Sequence, residues 1–167
     1  LTLLAATLPF LVSRYYVDLA TYIVIFAMFA TSLNLLLGTT GLVSFGHGAW
    51  FGIGAYAAAL TQLHWFPGSM LWPTLFALVL LLIASIVAGF FVLRRRGVYF
   101  SLLTLALSAL VYSVAFRWTA FTGGENGLGG LTRATWLGAD LESRWWYYAL
   151  VALCGLAVVY GLSRFHR

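Results

Sequence analysis

Long apolar runs separated by short polar breaks dominate the chain, and their lengths are the first clue. A bilayer core about 30 Å thick takes roughly 20 apolar residues to cross as a helix. Residues 19–37 form such a run, and residues 71–93 form the cleanest one, with Pro73 in a first turn that needs no N–H from it. Residues 42–63 are apolar but crowded with glycine, and residues 98–118 and 145–162 follow. Residues 1–12 are apolar but short; with neither Met nor a basic N-region they read as the tail of a span rather than a signal segment. The pattern predicts an all-α, polytopic transmembrane helical bundle of about five full spans plus one partial.

Composition excludes the alternatives. Of 167 residues 63% are hydrophobic and only 8% charged, against roughly 45–50% and about 25% in soluble domains. So few charges cannot cover a soluble surface. All nine basic residues are Arg, so no lysine is present for a phosphate-binding loop. The single Cys154 allows no intrachain disulfide. The net charge of +5 is no nucleic-acid signal, because its largest cluster is Arg94, Arg95 and Arg96 between two apolar runs.

Those arginines set an orientation. Arg94–Arg96 and the terminal Arg164 and Arg167 have no acid beside them, and strict alternation of spans puts both groups on one side, the cytoplasmic one. The four acids Asp18, Glu125, Asp140 and Glu142 then fall on the other side with Arg14, Arg133 and Arg144. Trp65, Trp72, Trp118, Trp136, Trp145 and Trp146 gather there too, as an interfacial aromatic belt does.

The densest local signal runs from Gly38 to Tyr56. Gly48 and Gly52 form a GxxxG pair that Ala55 and Ala59 extend, a face suited to close helix packing. Gly38, Gly41 and Gly46 precede it and predict an irregular start. Non-helical backbone at membrane depth survives only inside protein or beside a water-filled cavity. The third segment therefore reads either as a tightly packed helix with a loose start or as a broken, re-entrant segment lining a path. Ser44 and His47 lie in it, and Asn34 precedes it; polar groups within spans are functional candidates. Ser44 with His47 also raises an intramembrane hydrolase, although no nucleophile-turn motif surrounds Ser44. His47 suits equally a bond to a carbonyl that the glycines free, and Thr31, Asn34 and Gly38 share one helical face that suits packing as well as a ligand.

Ser101, Thr104, Ser108 and Tyr112 make a polar stripe at helical spacing in the fifth segment, which faces protein or water rather than lipid. Arg117 at its end snorkels to the interface. Next comes Thr122-Gly-Gly-Glu-Asn-Gly-Leu-Gly-Gly130, readable as a flexible loop, or as an outer gate or partner dock with Glu125 and Asn126 as its polar groups. It lacks the nucleotide-loop pattern. No residues have metal-ligand spacing, and no carboxylate pair sits within a span.

The run Ser32-Leu-Asn-Leu-Leu-Leu-Gly38, then Gly41-Leu-Val-Ser-Phe-Gly-His-Gly-Ala-Trp-Phe-Gly-Ile-Gly-Ala-Tyr-Ala-Ala-Ala59, resembles the permeases of branched-chain amino acid ABC transporters. Arg96-Gly-Val-Tyr-Phe-Ser-Leu-Leu-Thr-Leu-Ala106 and Thr122-Gly-Gly-Glu-Asn-Gly-Leu128 direct the resemblance to the LivM type and its urea and amide relatives. It implies a multi-pass inner-membrane permease of a bacterial importer. A LivH-type second permease, two ATP-binding subunits and a periplasmic substrate-binding protein would complete the system. ATP would sit on the partners, so this chain would bind no cofactor. Permeases of the family are longer, and their ATPase-engaging loop is expected beyond Arg167. Residues 1–167 thus read as a single transmembrane permease domain, a fragment of a longer permease. Asn34, Ser44, His47, Ser101, Thr104 and Ser108 are the candidates for a translocation path, and an acid-free interior suits a zwitterion or a small neutral solute. A passive channel module remains the competing class beside the hydrolase.

Overall fold

The computed structural model describes residues 14–94, 97–132, 135–136, 139–140 and 143–165. The partial span at residues 1–12 lies outside them, as do Arg95, Arg96, Arg133, Glu142 and Arg167. Among the described residues the chain is almost wholly helical: α1 Arg14–Thr40, α2 His47–His64, α3 Leu71–Val92, α4 Val98–Arg117, the single turn α5 Thr119–Thr122 and α6 Arg144–Phe165. Two two-residue strands, Thr135–Trp136 and Ala139–Asp140, pair with each other.

Four of these helices, α1, α3, α4 and α6, are long and apolar enough to cross a membrane. The sequence reading expected five full spans. The difference is the glycine-rich third segment, where α2 has 18 residues and carries His47, Gln62 and His64 among its apolar positions. At 1.5 Å per residue it is about 27 Å long, just short of a bilayer core.

Contacts divide the chain into two compact units, one built on α1 and α6, the other on α2 to α5. In the first, Gly155 of α6 lets the helices approach: a Cβ there would stand 3.0 Å from Val24 Cγ1 and 3.6 Å from the Met28 side chain. Val17 is fully buried, and Tyr148 nearly so. The hydroxyls of Thr21, Thr31 and Thr39 each donate to the carbonyl four residues back, which satisfies them without another helix. At one end Arg144 is paired with Asp18.

In the second unit α2 carries the packing. It lies closely along α3 and also against α4, while α3 and α4 touch each other sparsely. Gly54 makes the α2–α3 approach, since a Cβ there would stand 2.9 Å from Leu81 Cδ1. Ala57, Ala77, Val92 and Phe100 are the buried apolar residues described in this unit. Aromatic rings close the end where α2 stops: Trp65 meets Phe76 edge-on at 5.4 Å, Phe66 stacks on Trp72 at 6.0 Å, and His64 and Trp118 both stack on Phe121. Gln62 adds a hydrogen bond to the Thr132 carbonyl, 2.8 Å. Leu82, Ile83, Ile86 and Phe90 of α3 are all exposed, as a lipid-facing or helix-facing surface is in a membrane chain.

Candidate functional site

Between α1 and α2 the backbone leaves the helix, and Gly41 takes φ 64. Each peptide group in such a stretch needs a partner if it lies in apolar surroundings. Two partners come from α4. Ser101 Oγ donates to the Val43 carbonyl at 2.7 Å, and Thr104 Oγ1 accepts from the Phe45 N–H at 3.2 Å while donating to the Ser101 carbonyl at 2.9 Å. The linker is also pressed against α4 itself: Gly46 is buried, and a Cβ on it would lie 2.6 Å from the Thr104 carbonyl oxygen.

Thr104 stands seven residues beyond Gly97, about 10 Å along α4. The linker therefore climbs that far along α4 before α2 begins. Gly46 caps α2 without a side-chain bond, its carbonyl accepting from the Ala49 N–H at 3.0 Å. The result is a helix N-terminus displaced from the Arg94 end of its neighbours, with the half-buried Ser44 two residues before its cap.

The sequence candidates separate on this frame. Ser101 and Thr104 hold the linker, and Ser44 and His47 are half-buried on it and at the first position of α2. Ser108 donates to the Leu105 carbonyl of its own helix at 2.8 Å, and Tyr112 stacks on Phe116. Asn34 is exposed on α1, in the other unit.

Gly48 and Gly52, the expected packing pair, make no close approach among the described residues. A Cβ at either meets nothing within 4 Å, so neither mediates a helix contact within the described chain. Close approach belongs to Gly46 and Gly54. Gly54, Ala57 and Thr61 lie at i, i+3 and i+7, a small-residue face that the sequence displays as clearly as the GxxxG pair does.

The glycine-rich segment after α4 is a closed knot rather than an open loop. Thr122 Oγ1 donates to the Ala115 carbonyl, has the Trp118 carbonyl at 2.8 Å, and accepts from the Gly124 N–H at 3.3 Å. Gly123 and Gly127 take φ 76 and φ 68, and a Cβ on Gly123 would stand only 2.0 Å from the Gly127 carbonyl oxygen. Glu125 and Asn126, in the 3-10 turn Gly124–Asn126, are exposed at its tip. Among the described residues no three His, Cys, Asp or Glu side chains gather as metal ligands would.

Residues 15–167 match the family described as branched-chain amino acid transport system, permease component. The high-affinity branched-chain amino acid transport system permease protein LivM of Escherichia coli (strain K12) is 36% identical over 143 residues, covering 85% of this chain and 33% of that protein. LivM of Salmonella typhimurium (strain LT2) is also 36% identical over 143 residues, with the same coverage. The chain thus spans about a third of the length of these relatives. No solved structure matches it. With a match that runs through all four membrane-length helices, the chain belongs to the family of branched-chain amino acid transport permease components.

Proposed function

We propose that this chain is part of an inner-membrane permease subunit of an ABC importer that moves branched-chain amino acids, or related small neutral solutes, into the cell. The observation that carries the reading is the linker 41–46, whose non-helical backbone is held by Ser101 and Thr104 within the stretch matched to the family. Unwound backbone beside a helix N-terminus recognises a zwitterion well. The partial positive charge of the first N–H groups of α2 attracts a carboxylate, and free carbonyls attract an ammonium group. Ser44 and His47 stand at that junction, and Glu125 and Asn126 on the rigid knot face a soluble binding protein. No catalytic step is assigned to this chain. A LivH-type permease, two ATP-binding subunits and a periplasmic binding protein supply the remaining functions; urea and short amides are the alternative cargo.

The test is uptake by proteoliposomes holding the full-length permease with its partner subunits and binding protein, offered leucine, urea and acetamide. ATP-dependent, binding-protein-stimulated uptake of leucine is the predicted result. Uptake of urea or acetamide alone moves the cargo to the amide branch. Solute flux without ATP or binding protein overturns the importer reading in favour of a channel.

A further inference from the structure

The two ends of α2 are held in different ways. Its start follows the linker, which is fixed on α4 through Ser101, Thr104 and Gly46. Its last turn meets the knot. The buried Gln62 side-chain amide donates to the Thr132 backbone carbonyl at 2.8 Å, across 70 positions of sequence. A Cβ on Gly130 would stand 3.9 Å from Leu63 Cδ2, and the His64 ring stacks on Phe121 at 6.5 Å. The knot itself stands on α4: Thr122 reaches the Ala115 and Trp118 carbonyls, and a Cβ on Gly124 would lie 3.0 Å from the Phe116 carbonyl oxygen. It is thus rooted on α4 and reaches across to α2, with Glu125 and Asn126 between the two attachments in sequence.

Packing alone does not account for Gln62. A buried amide is costly unless it is hydrogen-bonded, and an apolar side chain of similar size fills a helix seam without that cost. What the amide adds is direction: its bond fixes where the exit of the knot lies relative to α2. We propose that Gln62 is a positioning residue that carries the docking of the binding protein from the knot to α2, and through α2 to the linker. This rests on the reading of Glu125 and Asn126 as the face that a soluble binding protein meets. A partner on the knot loads both of its attachments, and the Gln62 amide passes that load to the last turn of α2. A packed helix transmits displacement along its length. His47, at the linker end, is fifteen residue rises or about 22 Å from Gln62. Without the bond the dock itself stays intact, because Thr122 closes the knot independently of Gln62.

The test is ATP hydrolysis by the full-length permease, assembled with its partner subunits in proteoliposomes, with and without leucine-loaded binding protein. One hydrogen bond supports a coupling of about fivefold. Gln62→Leu is therefore expected to cut the ratio of stimulated to unstimulated hydrolysis about fivefold, while the binding-protein concentration for half-maximal stimulation stays the same. Thr132→Ala, which keeps the backbone acceptor, should leave the ratio as it is. A merely structural role would lower stimulated and unstimulated rates together or raise the half-maximal concentration, and either result overturns the proposal. So does an unchanged ratio. An unmodified permease that the binding protein does not stimulate overturns the importer reading itself, and the role of Gln62 with it. If Gln62→Leu does not assemble, Gln62→Asn, one methylene shorter and still polar, withdraws the amide from the carbonyl and should show the same loss.

Discussion

Gly46→Ala isolates the contact on which the linker depends. Gly46 has φ −92, which any residue adopts, so the substitution strains no backbone and its effect is steric. The added methyl would stand 2.6 Å from the Thr104 carbonyl oxygen and 3.2 Å from the Thr104 carbonyl carbon and Cβ. None of these is the far end of a flexible side chain, so the linker must lift away from α4. Overpacking of this kind costs about 1–3 kcal/mol. Lifting also weakens the bonds of Ser101 to Val43 and of Phe45 to Thr104, each worth about 1 kcal/mol. The total is about 2–4 kcal/mol. Gly48→Ala, two residues on, is the control: it meets nothing within 4 Å and gains up to about 1 kcal/mol of helix propensity. Denaturation of the full-length permease in detergent, followed by loss of the monodisperse peak, measures both. A Gly46→Ala protein as stable as the unmodified one refutes the reasoning, as does a Gly48→Ala protein that loses as much.

Thr104→Val should cost about 1–3 kcal/mol by leaving the Phe45 N–H without its acceptor, while Thr104→Ser keeps most of the stability in the same denaturation assay. Gly123→Ala should disrupt the knot, because its Cβ meets the Gly127 carbonyl, whereas Gly129→Ala, with nothing within 4 Å, should not; binding-protein-stimulated uptake separates the two. Asp18→Asn breaks a pair whose side chains are 31% and 43% exposed, so its cost should stay under about 1 kcal/mol. Gly155→Leu, driven into Val24 and Met28, should cost more than Asp18→Asn in the same denaturation series.

Helices were legible where apolar runs were long and unbroken. The run at residues 71–93 became Leu71–Val92, and that at residues 98–118 became Val98–Arg117, because length and hydropathy alone decide such elements. Of the three glycines that predicted an irregular start, Gly41 and Gly46 lie in the non-helical residues 41–46, whereas Gly38 lies inside α1. The partners of that backbone were not legible, since the pairing of Ser101 and Thr104 with the linker joins positions nearly 60 residues apart. Periodicity marked that stripe as polar without saying what it touches. At Gly48 and Gly52 spacing shows that the face is small but not what covers it, and no described residue comes within 4 Å of a Cβ there. The knot at Thr122–Gly130 looked loose for a similar reason: glycine permits both an open loop and a turn too tight for a Cβ, and only the closeness of Gly123 to Gly127 distinguishes them.

The central claim is that the linker 41–46 lines the solute path, and thiol labelling at Ser44 tests it most directly. Cys154 is first replaced by Ser, so that the Ser44→Cys substitution contributes the only thiol within residues 1–167. The assembled transporter is then exposed to a membrane-impermeant thiol reagent with and without leucine-loaded binding protein and ATP. The account predicts labelling that changes with ATP and is slowed by transported solute. A thiol at this position that reacts only with lipid-soluble reagents, at a rate indifferent to ATP and solute, would contradict it.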